Sequence, residues 1–328
     1  PSAATKALDA TNLVGYLEQR TVEYGLHHHF TVDADGKLNQ LFVELNGAFE
    51  EYALSGADNV VLFDPTHGTS RYALKLCCFT TVSTTGLTII LAVAFLEAES
   101  VECFEWAFRC FMQVFKVSPL SFFTDGDSSI EIAVTNLILS GIWTVEHQLC
   151  IFHVSKNMYQ HLRPLVHDVK AWKKLHNLFW KIAKNSDDRS RIRFAQEWAD
   201  FADALREVGS GPTLAREVEW VEALGAKAEK WAARYVWSRC TFTVHSTQRA
   251  EAVQSAVKEK IVQAKELLTD LILQIEDYSM NTQQQRTADS INTAMRNASK
   301  ATTLPLVVTN MLPKLTAFAG DCQPVSHT

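Results

Sequence analysis

The sequence predicts a mixed α/β core, a sheet with helices on both faces, interrupted by a large all-helical insertion. Three observations carry that expectation. Short apolar runs of strand length crowd the first 150 residues, with helical spacing between some of them. Residues 87–96, LTIILAVAFL, are apolar almost throughout, as a strand buried on both faces requires. From about 150 to 285 the pattern turns helical, broken by NSDDRS at 185–190 and GSGP at 209–212.

Taken in order, residues 1–58 read as an N-terminal helix and a hairpin. The hairpin, at 29–46, is two alternating runs around an Asp-Gly turn. Strands follow at about 60–64, 71–82 and 87–96. Residues 101–116 carry apolar positions at helical spacing with acidic residues near the start, which suits a helix N-terminus; Trp106 and Phe111 are core positions by that spacing. A short strand at about 120–124 ends at Asp125. A helix then starts near Ser128 or Ser129, where either hydroxyl is placed to cap it, and Trp143–His147 forms a further strand. The tail from about 298, rich in Ser, Thr and Ala, receives no element, and no internal repeat is visible.

Of the 328 residues, 47% are hydrophobic and 21% charged, an ordinary globular composition. No apolar run reaches the roughly 18 residues that a membrane span needs, and the first residues lack the pattern of a secretory signal. Seven Cys, an odd number with Cys77 and Cys78 adjacent, do not form a disulfide framework, so a reducing, intracellular setting is expected. The net charge of −6 is unevenly spread. Residues 1–155 hold 7 Lys/Arg against 18 Asp/Glu, whereas residues 156–193 hold 10 against 3. That basic segment has two readings: a solvated helix face, or a phosphate-contacting surface interleaved with Trp172, Phe179 and Trp180.

Asp64 and Asp125 each end an apolar strand, and in α/β sheets that edge is where ligands bind. Two carboxylates brought together there repel, and a divalent cation holds both ionised. A turn or cap role is the commoner fate of a strand-end Asp, and Asp127 is read as such a cap. His147, Cys150 and His153 form H-x₂-C-x₂-H, which lacks the second pair that a zinc finger would need, so a structural role is expected. The run His27–His29 leads straight into a strand pattern and is read as neither tag nor metal site.

Four motifs in order, DPTHGTSRYALKL, FFTDGD, HQLCIFH with Lys156 and Asn157, and STQRAE, resemble the catalytic domain of Mutator-like transposases. They are equally similar to the plant phytochrome-signalling transcription factors derived from those enzymes. The resemblance runs from about residue 22 to about 290. It implies a ribonuclease-H-like mixed sheet over residues 59–155, a helical insertion at 156–236, a return to the core at 237–290 and a tail at 291–328. It also implies that Asp64, Asp125 and Glu251 bind two Mg²⁺ or Mn²⁺ ions. Two such metals stabilise the attacking and leaving oxygens of a phosphodiester, and hard cations take carboxylate ligands.

On that reading the chain is a DDE-type transposase core that hydrolyses DNA and transfers strands; the alternative is a domesticated, non-catalytic DNA-binding regulator or protein-interaction effector. His67 departs from the aromatic residue many relatives carry there, and with Asp127, Cys150, His153, Gln248 and Arg249 it is placed beside the site. Double-stranded DNA, both transposon ends and target, is the implied partner. Lys156, Arg163, Lys170, Lys173, Lys174, Lys181, Lys184, Arg191 and Arg193 are its expected contacts. A homodimer and a nuclear location are implied by the same resemblance. The zinc modules that flank this domain in full-length relatives are not visible, so residual DNA binding is expected to be electrostatic and salt-dependent.

Overall fold

The computed structural model describes residues 3–45, 47–54, 60–66, 74–82, 88–186, 190–236, 268–281 and 284. Helix α1 (Ala3–Tyr24) leads into the antiparallel hairpin β1 (His28–Val32) and β2 (Leu38–Glu44), and α2 (Ala48–Leu54) follows. Next come β3 (Val60–Thr66), β4 (Lys75–Val82) and β5 (Thr88–Leu96), then α3 (Val101–Phe115), β6 (Ser121–Thr124), α4 (Ser128–Leu139) and β7 (Glu146–Leu149). A helical run completes the series: α5 (Ile151–Leu162), α6 (Val169–Ala183), α7 (Arg191–Val208), α8 (Leu214–Ala226) and α9 (Ala233–Val236), with residues 268–281 also helical. The expected strands therefore form, within a few residues of their sequence limits. The last of them lies slightly later than Trp143–His147.

The seven strands make one mixed sheet in the order β1-β2-β5-β4-β3-β6-β7. β3, β4 and β5 are antiparallel neighbours, whereas β6 runs parallel to β3 and β7 parallel to β6. A parallel return needs a crossover, and α3 supplies it between β5 and β6. Its start is set by Ser100, whose hydroxyl accepts from the Cys103 amide at 3.3 Å. It stops at Lys116, which takes the left-handed conformation (φ 61°).

Side-chain alternation assigns one face of the sheet to α3 and α4. Val61 and Phe63 of β3, Phe79 of β4 and Phe122 of β6 point to that face and are buried with Phe104, Phe108 and Phe111 of α3. The rings interlock: Phe108 lies 4.9 Å from Phe63, 5.3 Å from Phe122 and 5.2 Å from Trp143 between centroids, in edge-on and tilted arrangements. Such pairs add to the area term of burial. On the opposite face Val60, Leu62 and Phe123 are buried with Val236 of α9, where the chain returns from the helical run to the sheet.

Helices α5 to α9 bury a second cluster of their own, built on Phe179, Phe194, Trp198, Phe201 and Trp231. Arg234 is almost fully enclosed there; it donates to the Glu197 carboxylate and to the Ser190 carbonyl. A buried guanidinium of this kind is tolerable only because it is paired. Elsewhere, Tyr16 and Arg20 of α1 both donate to Glu276, so α1 is fastened to the helix at 268–281.

Because Phe108 touches four rings of the first cluster and Trp143, truncating it leaves a void that rigid strands cannot fill. Phe108→Ala is expected to cost about 3–5 kcal/mol, read as a lowered midpoint in urea unfolding at unchanged slope.

Candidate functional site

The site begins with the pairing of β3 and β6. Their register sets Val60 beside Ser121, Val61 beside Phe122 and Leu62 beside Phe123. The two strands run parallel, and Asp125 follows the last residue of β6, so Asp64 and Asp125 lie toward the same edge of the sheet. Asp64 is 4% exposed, and its antiparallel partner is Cys78.

The segment after β6 is folded around its acids. Asp125 accepts from the Asp127 amide at 3.0 Å, and Gly126 between them has φ 89°, which strains any side chain there. Asp127 accepts from the amides of Ser129 (2.8 Å) and Ile130 (3.2 Å) and is the N-cap of α4. The cap reading of Asp127 therefore holds, and the two serine hydroxyls do not do this work. The Asp125 carboxyl sits above the ordinary carboxylate range, first because burial disfavours its charge; the neighbouring charges of Asp127 and Glu99 push the same way, against the lowering by the Asp127 amide.

Glu99 is the acid that sequence reasoning missed. It stands in the bend between β5 and α3, half buried, and its charge bears on both Asp125 and Cys77. β5 runs parallel to β3 through their shared neighbour β4, so its C-terminal end shares the Asp64 edge. The signal was available: a strand-end acid in the pattern LEAES, of the same kind as Asp64 and Asp125. The Cys77 thiol is pushed well up by burial, with Cys78, Glu99, Asp64 and Asp125 adding to it, so it is inert as a nucleophile.

On β7, His147 pairs with Phe122, and its Nε2 lies 2.9 Å from the Thr124 hydroxyl. Burial, with Lys230 as the next cause, lowers its pKa to about 3. Cys150 is fully buried at the N-cap position of α5, where its side chain makes no capping bond, while its amide donates to the Thr124 carbonyl at 2.8 Å. His153, on the first turn of α5, has its pKa lowered to about 4 by burial and then by Lys156. All three residues belong to the junction between the sheet and the helical run. Among the described residues no group of three His, Cys, Asp or Glu is arranged to hold a metal ion. Glu251, His67, Gln248 and Arg249 lie outside the described residues. The chain meets the opposite face of the sheet again at Val236, fifteen residues before Glu251 in sequence.

The expected DNA contacts divide. Lys156, Lys170, Lys173, Lys174, Lys181 and Lys184 are exposed. Arg191 and Arg193 are engaged with Glu229 (2.9 Å) and Glu197 (3.3 Å). The Arg163 guanidinium lies over the Trp172 ring at 5.9 Å and donates to the Val166 carbonyl. Trp172 and Phe179 are core residues, 9% and 0% exposed, on the inner side of an amphipathic helix, whereas Trp180 is partly exposed with the Lys184 ammonium over its ring.

Comparison with known proteins follows the same boundaries. Residues 60–157, which run from β3 into α5, match the family of the MULE transposase domain. Over 206 residues, 62% of the chain, the sequence is 24% identical to protein FAR1-related sequence 6 of Arabidopsis thaliana. That stretch is 26% of the relative's length, so the chain spans about a quarter of it. The resemblance read from the four motifs is borne out by both matches.

Two stability measurements test this electrostatic description. His147 binds its proton readily in the unfolded chain (pKa near 6.5) and only below about pH 3 when folded. Stability is therefore retained above pH 6.5 and lost as pH falls toward 3, by up to about 1.4 kcal/mol per pH unit from this one group. His147→Gln, which keeps a partner for Thr124, is expected to flatten the fall of the melting temperature between pH 6.5 and 4.5. Asp125 has the opposite sign. Its raised pKa means that its ionised form opposes folding, so Asp125→Asn is expected to melt at a higher temperature at pH 7 without divalent cations. That gain should vanish on acidification, once the wild-type carboxyl is protonated.

Proposed function

We propose, from the premise that residues 60–157 form a MULE transposase domain, that this chain is a transposase-derived regulator that binds double-stranded DNA in the nucleus without catalysing strand transfer. The observation that carries this reading is the similarity over 206 residues to a FAR1-related protein, which aligns it with the domesticated branch of the resemblance. A ribonuclease-H-like core is part of the proposal. It is supported by the order β5-β4-β3-β6-β7, three antiparallel strands and then two parallel ones, with a helical crossover after the third. Nucleic-acid affinity would be electrostatic, from the basic segment that follows the sheet.

A second reading, a retained DDE transposase, is favoured by one specific observation. Asp64 and Asp125 lie toward the same edge of the sheet, and burial raises the Asp125 pKa. With Glu251 these residues would hold two Mg²⁺ ions. The donor set suits the ion, since hard cations prefer carboxylate oxygens. When bound, the ions would supply a water or 3′-hydroxyl of lowered pKa and stabilise the leaving oxygen. The chain's own contribution would be to hold Asp64 rigidly within the sheet and to aim Asp125 through its bond from the Asp127 amide.

One experiment separates the two. Supercoiled plasmid is incubated with the purified chain in Mg²⁺ or Mn²⁺, and binding is followed in parallel by gel shift without divalent cations. The regulator reading expects a shift that needs no metal, and nicking no greater than that of the Asp64→Asn/Asp125→Asn double variant. Metal-dependent nicking that the double variant loses would establish the catalytic reading instead. Absence of any shift at low salt would sink the regulator reading.

A further inference from the structure

We infer that the exposed face of α6 is a sequence-tolerant track for one phosphate backbone of duplex DNA; the inference rests on the DNA-binding reading above and names the surface responsible. At 100° per residue, Lys170, Lys173, Lys174, Asn177, Lys181 and Lys184, which immediately follows the helix, fall within an arc of about 100°. Trp172, Leu175, Phe179, Ile182 and Ala183 occupy the opposite side and are buried. From Lys170 to Lys184 the row is about 21 Å long at 1.5 Å per residue. Residues 169–183 contain no acidic side chain. The nearest one, Asp168, is the N-cap, and its carboxylate accepts from the amides of Lys170 and Ala171.

The other basic helices differ. On α7, Arg191, Arg193 and Arg206 each face a carboxylate. Lys227 and Lys230, beyond α8, both hold Glu131 of α4. None of the α6 lysines is ion-paired with a described residue. Lys184 alone has an aromatic neighbour, with its ammonium 4.5 Å from the centre of the Trp180 ring. Among the described residues this row of ammonium groups has no paired carboxylate, and like charges on one helix face repel each other and attract a polyanion.

The chemistry of the row decides what kind of partner. Ammonium groups on flexible stems contact phosphates as point charges and carry no base specificity. Single-stranded nucleic acid is gripped by aromatic faces on which bases stack. Trp172 and Phe179 of α6 are turned inward. Trp180 is partly exposed but has the Lys184 ammonium against its ring at 4.5 Å, and the exposed Tyr159 of α5 stands edge-on to Trp172 at 5.4 Å. The row therefore lacks the run of open ring faces that a single strand needs. Duplex DNA, whose bases need no platform, is the partner that fits.

The test measures binding of a fluorescent 20-base-pair duplex by anisotropy from 50 to 300 mM NaCl. Each phosphate contact adds about 0.9 to the slope of log affinity against log salt. Lys170→Glu/Lys173→Glu/Lys174→Glu is expected to weaken binding by about tenfold or more at 100 mM and to make the slope shallower by about 2.7, with the melting temperature kept. Arg191→Gln/Arg193→Gln should leave the slope unchanged. A triple variant with wild-type slope, in a chain that still binds duplex, would overturn the track and leave the DNA-binding reading standing. A single strand bound as tightly as the duplex would overturn the choice of partner. No duplex binding by the unaltered chain would overturn both.

Discussion

The parallel pairing of β3 with β6 is the constraint on which the rest of the molecule depends. An antiparallel neighbour would end at the opposite edge, and Asp64 and Asp125 would stand a strand length apart. The parallel pairing instead brings two acids to one edge of the sheet. It also imposes a topological demand, since the chain must cross over the sheet between β5 and β6, and α3 with its aromatic ladder is that crossing. The packing of Phe63, Phe108 and Phe122 is thus the structural counterpart of the acidic edge. Asp64 is enclosed at that edge, and the Asp125 carboxyl is raised there, first by burial and then by the charges of Asp127 and Glu99.

Much of this was legible because strand burial writes itself into composition. Val60–Phe63 and residues 87–96 are apolar runs of strand length between polar segments, and they became β3 and β5. The cap at Asp127 was also legible, since an acid just before a helix start meets the free amides of its first turn. Glu99 ends an apolar run as Asp125 does, but its nearness to Asp125 depends on β4 lying between β5 and β3, a matter of sheet order that no local pattern encodes. The basic segment shows the same limit. Its charge is plain in sequence, but whether Arg193 meets a phosphate or Glu197 depends on the next turn of α7. That Trp172 and Phe179 face inward follows from the 3.6-residue period once α6 is placed; interleaving alone, read along the chain, suggests a contact surface. Glu251 and its neighbours, read only from the motif resemblance, lie outside the described residues.

The presence of two apolar clusters bears on the proposed reading of the chain as a transposase-derived regulator. One cluster, around α3 and the sheet, holds the acidic edge; the other, within α5 to α9, carries the lysines of α6 on its outside. Charge differs between the two in the same sense, −11 over residues 1–155 and +4 over 156–236, where +7 in 156–193 is partly offset by −3 in 194–236. A DNA backbone is repelled by the first without cations and attracted by the second with or without them. In the proposed reading, binding and catalysis therefore draw on different side chains supported by different cores. Loss of metal chemistry would leave DNA affinity nearly untouched, whereas loss of the lysines would remove both functions, because a site that DNA does not reach has no substrate. The asymmetry gives a physical route by which selection can discard the reaction and keep the contact.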